Sequence, residues 1–368
     1  MHIGVVKQVQ QEECRVPAVP AGVHLLTERG HTVHIERDAG LAAGFTDDDY
    51  RAAGANIVYS RAEAVGRAEL VLGVAPMQPE DVDLLRPHQT VMTFGHLVTL
   101  APETFRGMCD KSITAIAYEL IENDQHRRPI VEVMGEIAGP IAITLAARFL
   151  ETHHGGRGVL LSGLPGVPPA QVAIIGAGAV GLSAARAAVG AGAQVCLFDR
   201  EPERLRLATQ LFERRVVTYL SYRYNLEQVL RFADVVIGAV WVHGGRPPTL
   251  ITTDMVRQMK RRAVIIDCSI DQGGICETGR PTTLTDPVYT SEGVIHCCVP
   301  NLPAAVARTG SFALANALFP YVRHMASSGI EKVIADQPRF QEGIYIRDGQ
   351  PTHPAARQMA EVAAATRV

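Results

Sequence analysis

The sequence predicts an α/β protein made of two doubly wound domains, with one domain inserted into the other. Its 368 residues exceed the ~100–200 residues of an ordinary single domain. Strand-like apolar runs alternate with helical stretches in two separate groups, which is the pattern of parallel sheets connected by helices. The runs are nearly continuous in Val, Ile and Leu, as expected for strands covered by helices on both faces.

The first third of the chain predicts one of the two sheets. Six apolar runs separated by helical stretches predict its strands, over residues 2–6, 31–36, 56–60, 69–74, 89–94 and 113–119. One long helix is expected over residues 131–152. The segment that follows it, 155–170, is rich in glycine and proline and marks a domain boundary nearby.

The middle of the chain predicts a second, separate sheet. Six more apolar runs predict its strands, over residues 172–175, 194–198, 216–220, 234–240, 263–267 and 294–298. The chain then becomes irregular and runs into a helix, and we expect the tail from about Pro303 to pack back on the first domain. The predicted outer domain is therefore discontinuous, with residues 1–130 plus 303–368, and the inserted domain takes residues 131–302.

Composition excludes several classes of partner. With 35 Lys and Arg against 38 Asp and Glu, the net charge of −3 argues against binding to nucleic acid. The longest apolar stretch, 129–150, carries Glu132, Glu136 and Arg148, so we expect no membrane span, and the N-terminus does not resemble a secretory signal. Seven cysteines, an odd number, lie mostly in apolar runs and favour a reduced, cytoplasmic setting. None has zinc-site spacing, so we expect no metal.

A glycine-rich turn predicts dinucleotide binding in the inserted domain. Gly176, Gly178 and Gly181 have G-x-G-x-x-G spacing after a predicted strand and at the start of a helix. This arrangement allows a tight turn, a close approach to a pyrophosphate and close packing of helix on strand. The N–H groups at the start of the helix can then bind the anion. A turn that binds nothing is the alternative, but the complete strand and helix pattern disfavours it.

The residue that ends the next strand predicts which dinucleotide binds. Asp199 lies 23 residues after Gly176, near the spacing of the acid that binds the ribose hydroxyls. A carboxylate there repels a 2′-phosphate, so the sequence favours NAD over NADP. Arg200 and Arg204 weaken that preference, because a basic residue beside the acid can accommodate a phosphate. We therefore expect a Rossmann domain that binds NAD.

Three residues are candidates for the chemistry, which we expect the outer domain to supply. Arg15 follows the first strand and could bind a substrate carboxylate at two points, although an isolated arginine is more often a surface residue. His96 ends the TVMTFGH run and could transfer a proton near neutral pH, although it could also be a core or capping histidine. Asp271 follows the fifth strand of the inserted domain and could orient a histidine, whereas Asp267 ends that strand and is expected to be structural.

Seven ordered segments resemble the alanine dehydrogenase family, whose relatives include transhydrogenase domains and saccharopine dehydrogenases. They are the opening segment 1–31, TFGHL, AYELI, the GGRGVLLSGLPGVPPAQVAIIGAGAVG run, DVVIGAV, VIIDCSIDQGGICETGRPTT and NLPAAVARTGSFALANALFPYV. The resemblance covers nearly the whole chain. It implies a substrate cleft between a split outer domain and the NAD domain, a homo-hexamer, and reversible oxidative deamination of L-alanine to pyruvate and ammonia.

The resemblance also implies roles for individual residues. Arg15 matches the arginine that binds the substrate carboxylate, His96 the acid/base, and Asp271 the catalytic aspartate. Three further matches concern the cofactor and the substrate beside it: the ribose acid Asp199, a cofactor-contacting serine at Ser221, and an asparagine at the nicotinamide edge, Asn301.

The chain departs from the family pattern at two places. The family has a substrate-binding lysine in a KVKEP-type run after the fourth strand, and this sequence reads GVAPMQPE, with Gly73 and Ala75 where lysines would stand. Gly135 stands where the family has a serine that contacts the cofactor. Losing a preorganised charge of the lysine type costs about 3 kcal/mol of transition-state stabilisation.

These observations predict an NAD-dependent amino-acid dehydrogenase that acts on a substrate other than simple alanine. A bulkier amino or imino acid, or one that brings its own positive charge, fits the space at Ala75. Two alternatives stay open. One is altered chemistry on the same scaffold, such as imine reduction or elimination in a specialised pathway, and the other is a non-catalytic NAD-binding protein.

Overall fold

The computed structural model describes residues 1–9, 12–97, 99–242 and 245–365, and the chain divides into two compact units. Unit 1 consists of Met1–Met134 and Ala304–Val368, so it is discontinuous in sequence. Unit 2 is Gly135–Pro303.

The N-terminal segment of unit 1 alternates strands and helices. Its elements are β1 (His2–Val5), α1 (Pro20–Thr27), β2 (Thr32–Glu36), α2 (Asp47–Ala52), β3 (Asn56–Val58), α3 (Arg61–Arg67), β4 (Leu70–Leu72), α4 (Pro79–Leu84), β5 (Thr90–Thr93), α5 (Pro102–Asp110) and β6 (Thr114–Ala117). Helices α1, α4 and α5 begin at a proline, whose fixed φ and missing N–H suit a first helical position. All six predicted strands are present.

Unit 2 repeats this alternation after one long helix. The long helix is α6 (Pro129–Leu150), which begins in unit 1 and continues into unit 2. The elements that follow it are β7 (Gln171–Ile175), α7 (Ala179–Gly190), β8 (Gln194–Asp199), α8 (Pro202–Leu211), β9 (Val216–Leu220), α9 (Arg223–Leu230), β10 (Val235–Gly238), α10 (Thr253–Gln258), β11 (Val264–Asp267), β12 (Val288–Ser291) and β13 (Val294–Cys297). Strand β12 pairs antiparallel with β13 at the sheet edge and was not predicted.

The C-terminal tail completes unit 1. It contains α11 (Ala307–Ser328), α12 (Ile330–Asp336), β14 (Ile344–Arg347), β15 (Gln350–Pro351) and α13 (Pro354–Ala365). Strand β14 pairs antiparallel with β6, with Ile344 opposite Ile116, and β15 pairs with β14. The tail therefore extends the sheet of unit 1 with a hairpin that no sequence pattern predicted.

Both sheets have the strand order of a doubly wound fold. The order in unit 1 is β15-β14-β6-β5-β4-β1-β2-β3, and in unit 2 it is β12-β13-β11-β10-β7-β8-β9. The direction of winding reverses beside β1 and beside β7. Ligands of such sheets bind at the carboxyl ends of the strands near this reversal, so these ends position the candidate residues.

The sheet of unit 2 is buried on both faces. Val235 and Ile237 pack in one apolar cluster with α6 and α7, while Val236 between them packs in a second cluster with α9 and α10. All three side chains are fully buried. Alternate residues of each strand thus face different helical layers, which explains why the runs are continuously apolar.

Helix α6 is, among the described residues, the one helix long and apolar enough to cross a membrane. The charged residues in it therefore do not exclude a span by themselves, and that part of the sequence argument is wrong. Its side chains Ala142, Ala146 and Phe149 belong to the buried core of unit 2. A core helix passes the same test of length and composition, and packing in unit 2 accounts for the buried part of its apolar sequence.

Candidate functional site

The glycine turn after β7 has the geometry of an anion site. Gly176 has φ +110°, and a Cβ there would lie 2.3 Å from the Ala239 carbonyl oxygen. A Cβ at Gly181 would lie 1.8 Å from the Gly176 oxygen, so the first and third glycines are required by the turn itself. A Cβ at Gly178 would meet none of the described atoms within 4 Å, which leaves open space before α7. The helix begins at Ala179 with no side-chain cap from the described residues, so its first N–H groups suit a phosphate.

The carboxylate of Asp199 is fixed against this turn. Its Oδ2 accepts a hydrogen bond from the Ala177 N–H at 2.7 Å, and its Oδ1 accepts one from the Glu201 N–H at 2.9 Å. The side chain is buried. Each carboxylate oxygen has two lone pairs, so both can still accept a ribose hydroxyl. These residues fit an adenosine ribose and pyrophosphate.

Two further predicted residues lie beside Asp199. The Ser221 N–H donates to the Asp199 carbonyl oxygen at 3.0 Å, so the ends of β8 and β9 bring the two residues together. Arg204 is exposed, with its Nη1 4.0 Å from Asp199 Oδ2 and its Nε 3.2 Å from a Glu201 oxygen. Arg204 is therefore close enough to influence the choice between NAD and NADP.

Gly135 has a structural reason to be glycine. A Cβ there would lie 3.0 Å from the Ala179 Cβ and 3.2 Å from the Val180 backbone nitrogen. A serine at this position would push α6 away from the start of α7. The chain therefore has glycine instead of the family serine at a position where α6 and α7 approach closely.

Arg15 is buried, which contradicts the reading of it as a surface residue. Its Nε and Nη2 donate to the two carboxylate oxygens of Glu13 at 2.8 and 2.7 Å, and both side chains are less than a tenth exposed. Its Nη1 lies 3.1 Å from the Met134 sulfur, and the guanidinium carbon lies 5.6 Å from the centre of the Phe94 ring. One edge of the guanidinium, formed by Nε and Nη2, is therefore held by Glu13, and Nη1 meets a weak sulfur acceptor.

His96 follows β5 and is exposed, so it is not a core histidine. Its backbone has φ +41°, a left-handed conformation that costs free energy in a residue with a side chain. The Glu119 carboxylate accepts the His96 N–H at 2.7 Å and the Gly95 N–H at 3.0 Å. The Thr99 and Leu100 N–H groups donate to the His96 carbonyl oxygen. Hydrogen bonds on both sides of the residue hold it in place.

Phe94 brings Arg15 and His96 together. The Phe94 and His96 ring centres are 5.9 Å apart, and Arg15 lies over the same Phe94 ring. Tyr118 packs edge-on against Phe94 from the end of β6. Unit 1 thus places a buried cation and an exposed imidazole next to one aromatic ring.

Sequence reasoning missed three residues of this site: Glu13, Phe94 and Glu119. The position of Glu119 in the AYELI segment could have indicated it, because β5 and β6 are parallel neighbours with Thr93 opposite Ala117. Residues that follow these paired positions must meet at one edge of the sheet. Glu13 could have been identified as a partner of Arg15 from its position two residues earlier in the chain.

The loop after β4 carries Ala75 where a lysine was expected by resemblance. The Ala75 N–H donates to Gln8 Oε1 at 2.9 Å, and Gln8 Nε2 donates to the Val6 carbonyl oxygen at 3.2 Å. A Cβ at Gly73 would lie 3.1 Å from the Thr93 methyl carbon. The amide of Gln8 therefore fixes this loop to the end of β1, and the loop itself has no charged side chain before Glu80.

The remaining candidates follow neighbouring strands of unit 2. Asp271 follows β11 and is exposed, with its Oδ1 accepting the Gln272 N–H at 3.0 Å. Asn301 follows β13 in a left-handed conformation, φ +60°. Asp267 is fully buried, accepts the Ser269 and Ile275 N–H groups, and has its pKa raised by burial. Asp267 is therefore structural, whereas Asp271 and Asn301 lie at the same sheet edge as the glycine turn.

Comparisons with known proteins agree along the whole chain. The N-terminal domain of the alanine dehydrogenase/PNT family matches residues 4–138, and the C-terminal domain of that family matches residues 142–354. The chain is 42% identical to an alanine dehydrogenase of Halomonas elongata, covering 97% of this chain and 96% of that protein. It is 40% identical to an alanine dehydrogenase of Bacillus subtilis, covering 96% of this chain and 93% of that protein.

Solved structures show the same relationship. A structure of an L-alanine dehydrogenase superposes with a TM-score of 0.94 at 42% identity, covering 99% of this chain and all of that one. A transhydrogenase from Sinorhizobium meliloti superposes with a TM-score of 0.83 at 22% identity, covering 96% of this chain and all of that one, and shows the shared fold alone. By its sequence matches and its fold, the chain belongs to the alanine dehydrogenase/PNT family.

Proposed function

We propose that the protein is an NAD-dependent amino-acid dehydrogenase, which converts an L-amino acid and water to a 2-oxo acid and ammonia with reduction of NAD⁺. The observation that carries this proposal is the pair formed by exposed His96 and buried Arg15 on the Phe94 ring, in a chain of this family. An amino-acid substrate requires a cation that pairs with its carboxylate and a side chain that can accept and donate a proton.

Each residue has a distinct proposed task. Arg15 binds the substrate carboxylate through its guanidinium, of which the nitrogens Nε and Nη2 also donate to Glu13. His96 exchanges the protons that are released when water adds to the substrate carbon and ammonia leaves. Asp271 is the catalytic carboxylate and Asn301 a substrate contact, as the resemblance implies. The glycine turn and Asp199 would hold NAD, which would supply the acceptor for the hydride of the α-carbon.

The substrate is proposed to be larger than alanine or to carry its own positive charge. Ala75 offers no ammonium to a developing negative charge, and its methyl side chain takes up less space than a lysine. We expect kcat/KM for L-alanine to be lower than for a bulkier or basic L-amino acid. A panel of L-amino acids with NADH absorbance as the readout tests this, and a clear preference for alanine would contradict it.

Introducing the family lysine at position 75 is a second test of the same proposal. Ala75→Lys should raise kcat/KM for L-alanine by at least about tenfold, because it returns a charge of the kind that is worth a few kcal/mol. The matched control is Gln78→Lys, which adds a charge three residues later in the same loop. If the two variants do not differ, the missing lysine does not set the substrate.

Altered chemistry on the same scaffold is the second candidate function, and the loss of the lysine favours it. Imine reduction would consume NADH with a cyclic or substituted imine and would leave every L-amino acid unoxidised. A non-catalytic NAD-binding protein would bind NAD in a calorimeter and turn over neither class. Titration with NAD followed by both assays separates the three functions.

Assembly and location are proposed from the resemblance and from composition. We propose a homo-hexamer in the cytoplasm, acting in amino-acid metabolism on a small-molecule amino acid or its 2-oxo or imino acid. Light scattering should then give a mass six times that of the 39.7 kDa chain. A monomer mass at micromolar concentration would contradict the assembly.

A further inference from the structure

Beyond the glycine turn, unit 2 carries a compact group of potential metal ligands in the turn that follows α6. Glu151, His153 and His154, here called the histidine cluster, each offer one ligand atom, and these atoms all lie within 4.8 Å of one another. We propose that the histidine cluster binds one divalent first-row transition metal ion, with zinc as the reference ion. The lack of zinc-type cysteine spacing had led us to expect no metal, but this turn offers different ligands.

The distances suit a tetrahedral ion. Nε2 of His153 lies 3.0 Å from a Glu151 carboxylate oxygen, and Nε2 of His154 lies 3.7 Å from the same oxygen. Zinc bonds to nitrogen and oxygen of about 2.0–2.2 Å give ligand atoms roughly 3.3 Å apart in a tetrahedron. Small rotations of exposed side chains therefore bring the three atoms to coordination distance, and water can supply the fourth ligand.

The ligands stand on a rigid turn. A short 3₁₀ helix, Thr152–His154, ends at Gly155, which has φ +87°. A Cβ at Gly156 would lie 2.1 Å from the Phe149 carbonyl oxygen, so the turn packs directly on the last turn of α6 and requires glycine there. The backbone under the ligands is thus held before any ion binds, which lowers the entropy cost of binding.

Packing also orients one imidazole. The His154 ring stands edge-on to the buried Phe149 ring, with 6.1 Å between their centres. The His153 and His154 rings are 4.4 Å apart, so the two imidazoles lie side by side.

The local charge favours binding of a cation, although a nearby arginine opposes it. The cluster follows the carboxyl end of the 22-residue helix α6, which carries partial negative charge, and Glu151 adds a full one. Arg148 opposes binding, because its Nε lies 3.4 Å from His154 Nε2. Arg148 is exposed and can move into solvent.

The ligand set selects the class of ion. Two imidazoles with one carboxylate suit zinc, cobalt, nickel and copper, whereas calcium and magnesium prefer oxygen ligands alone. All three ligands lie within residues 151–154, so the unfolded chain keeps part of its affinity for the ion. The folded turn holds them together and should bind more tightly, so zinc should raise the thermal midpoint of the protein modestly.

Calorimetric titration of zinc into the tag-free, chelator-treated full chain tests the proposal. We expect one zinc ion per chain, and Co²⁺ should give the strong visible absorption of a tetrahedral site. His153→Asn and His154→Asn should each weaken zinc binding by at least about tenfold. His24→Asn is the matched control, because exposed His24 pairs with Glu28 at 3.2 Å and belongs to no group of three potential metal ligands among the described residues.

Two further measurements make the outcome decisive. Arg148→Met should strengthen zinc binding, and zinc should raise the thermal midpoint of the native protein but not that of the variant with both His153→Asn and His154→Asn. Equal midpoints of all variants without metal will show that they are folded. Failure of the native chain to bind zinc, or binding that survives in the doubly substituted variant, would overturn the proposal.

Discussion

At the scale of a single residue, the left-handed backbone of His96 is the feature on which the proposed proton transfer depends. Hydrogen bonds on both sides of His96 maintain its φ of +41°. The His96 N–H donates to the Glu119 carboxylate. The same carboxylate holds the Gly95 N–H through both oxygens. Glu119 is therefore a positioning residue, which acts on the imidazole through the backbone.

Replacement of Glu119 should lower kcat more than it changes KM. Glu119→Ala leaves two backbone N–H groups without their acceptor and lets the His96 backbone relax, so we expect kcat to fall by about tenfold to a hundredfold. Glu119→Gln retains one acceptor oxygen and should recover part of that loss. Steady-state kinetics check this, with the exposed Glu103→Ala on α5 as the control. A fall in kcat that is equal for Glu119→Gln and Glu119→Ala would speak against positioning by the carboxylate.

Asp199 and Arg204 should together decide the cofactor. Asp199→Ala removes the ribose acceptor and leaves the Arg204 guanidinium, so KM for NAD should rise by at least about tenfold while KM for NADP falls. Adding Arg204→Ala should remove the gain with NADP and leave the loss with NAD. Initial rates with both cofactors measure the effect. If the double variant keeps the NADP gain, Arg204 is not the phosphate partner.

At the scale of secondary structure, small residues allow α6 to pack closely on α7. A Cβ at Gly139 would lie 2.5 Å from the Ala184 backbone nitrogen and 2.6 Å from the Val180 carbonyl oxygen. Both neighbours are backbone atoms, which cannot turn aside as a side chain can. The low aromatic content of the chain, 5%, agrees with helices that approach one another this closely.

Gly139→Ala should therefore lower the thermal midpoint of unit 2. Overpacking of this kind costs about 1–3 kcal/mol, because the helices must separate. Gly190→Ala is the matched control, since a Cβ at the end of α7 would meet none of the described atoms within 4 Å. The control should leave the midpoint unchanged or raise it slightly. Scanning calorimetry compares the two, and a neutral Gly139→Ala would show that the α6 and α7 contact is loose.

The sequence predicted the elements better than the contacts between distant ones. Continuous apolar runs located both parallel sheets, and the spacing of Gly176, Gly178 and Asp199 located the nucleotide turn, because these are local patterns. The β14–β15 hairpin was missed because its partner, β6, lies far away in sequence. The burial of Arg15 was missed for a similar reason: an Arg and a Glu two residues apart are usually exposed, and only the surrounding Phe94 and Met134 make this pair internal.

At the scale of the whole molecule, a buried histidine should make the fold sensitive to acid. His296 on β13 is fully buried, its Nδ1–H donates to the Val294 carbonyl oxygen at 3.1 Å, and its Nε2 accepts the Thr278 hydroxyl at 2.8 Å. Tyr289 stacks on the ring, and Arg280 lies over Tyr289. Burial lowers the pKa of His296 below its ordinary value of 6.5, so the folded protein holds it neutral.

The sign of the resulting pH dependence follows from this lowered pKa. Between pH 6.5 and the pKa of His296 in the folded state, the unfolded chain binds a proton that the folded chain does not. Stability is therefore complete above about pH 6.5 and falls with decreasing pH, by up to about 1.4 kcal/mol per pH unit for one histidine. His296→Gln should make the thermal midpoint less dependent on pH between 5 and 7, whereas the exposed His24→Gln should not. Identical pH profiles for all three proteins would contradict the assignment.

The hairpin on β6 has a consequence for the order in which the protein matures on the ribosome. Strand β6 emerges early, but its partner β14 is translated only after the whole of unit 2. Until then the nascent sheet exposes an unpaired edge, the kind of surface that invites wrong pairing. Chains truncated before Ile344 should therefore aggregate through the N-terminal segment. The sequence of unit 2 is complete in such chains, so unit 2 can fold first.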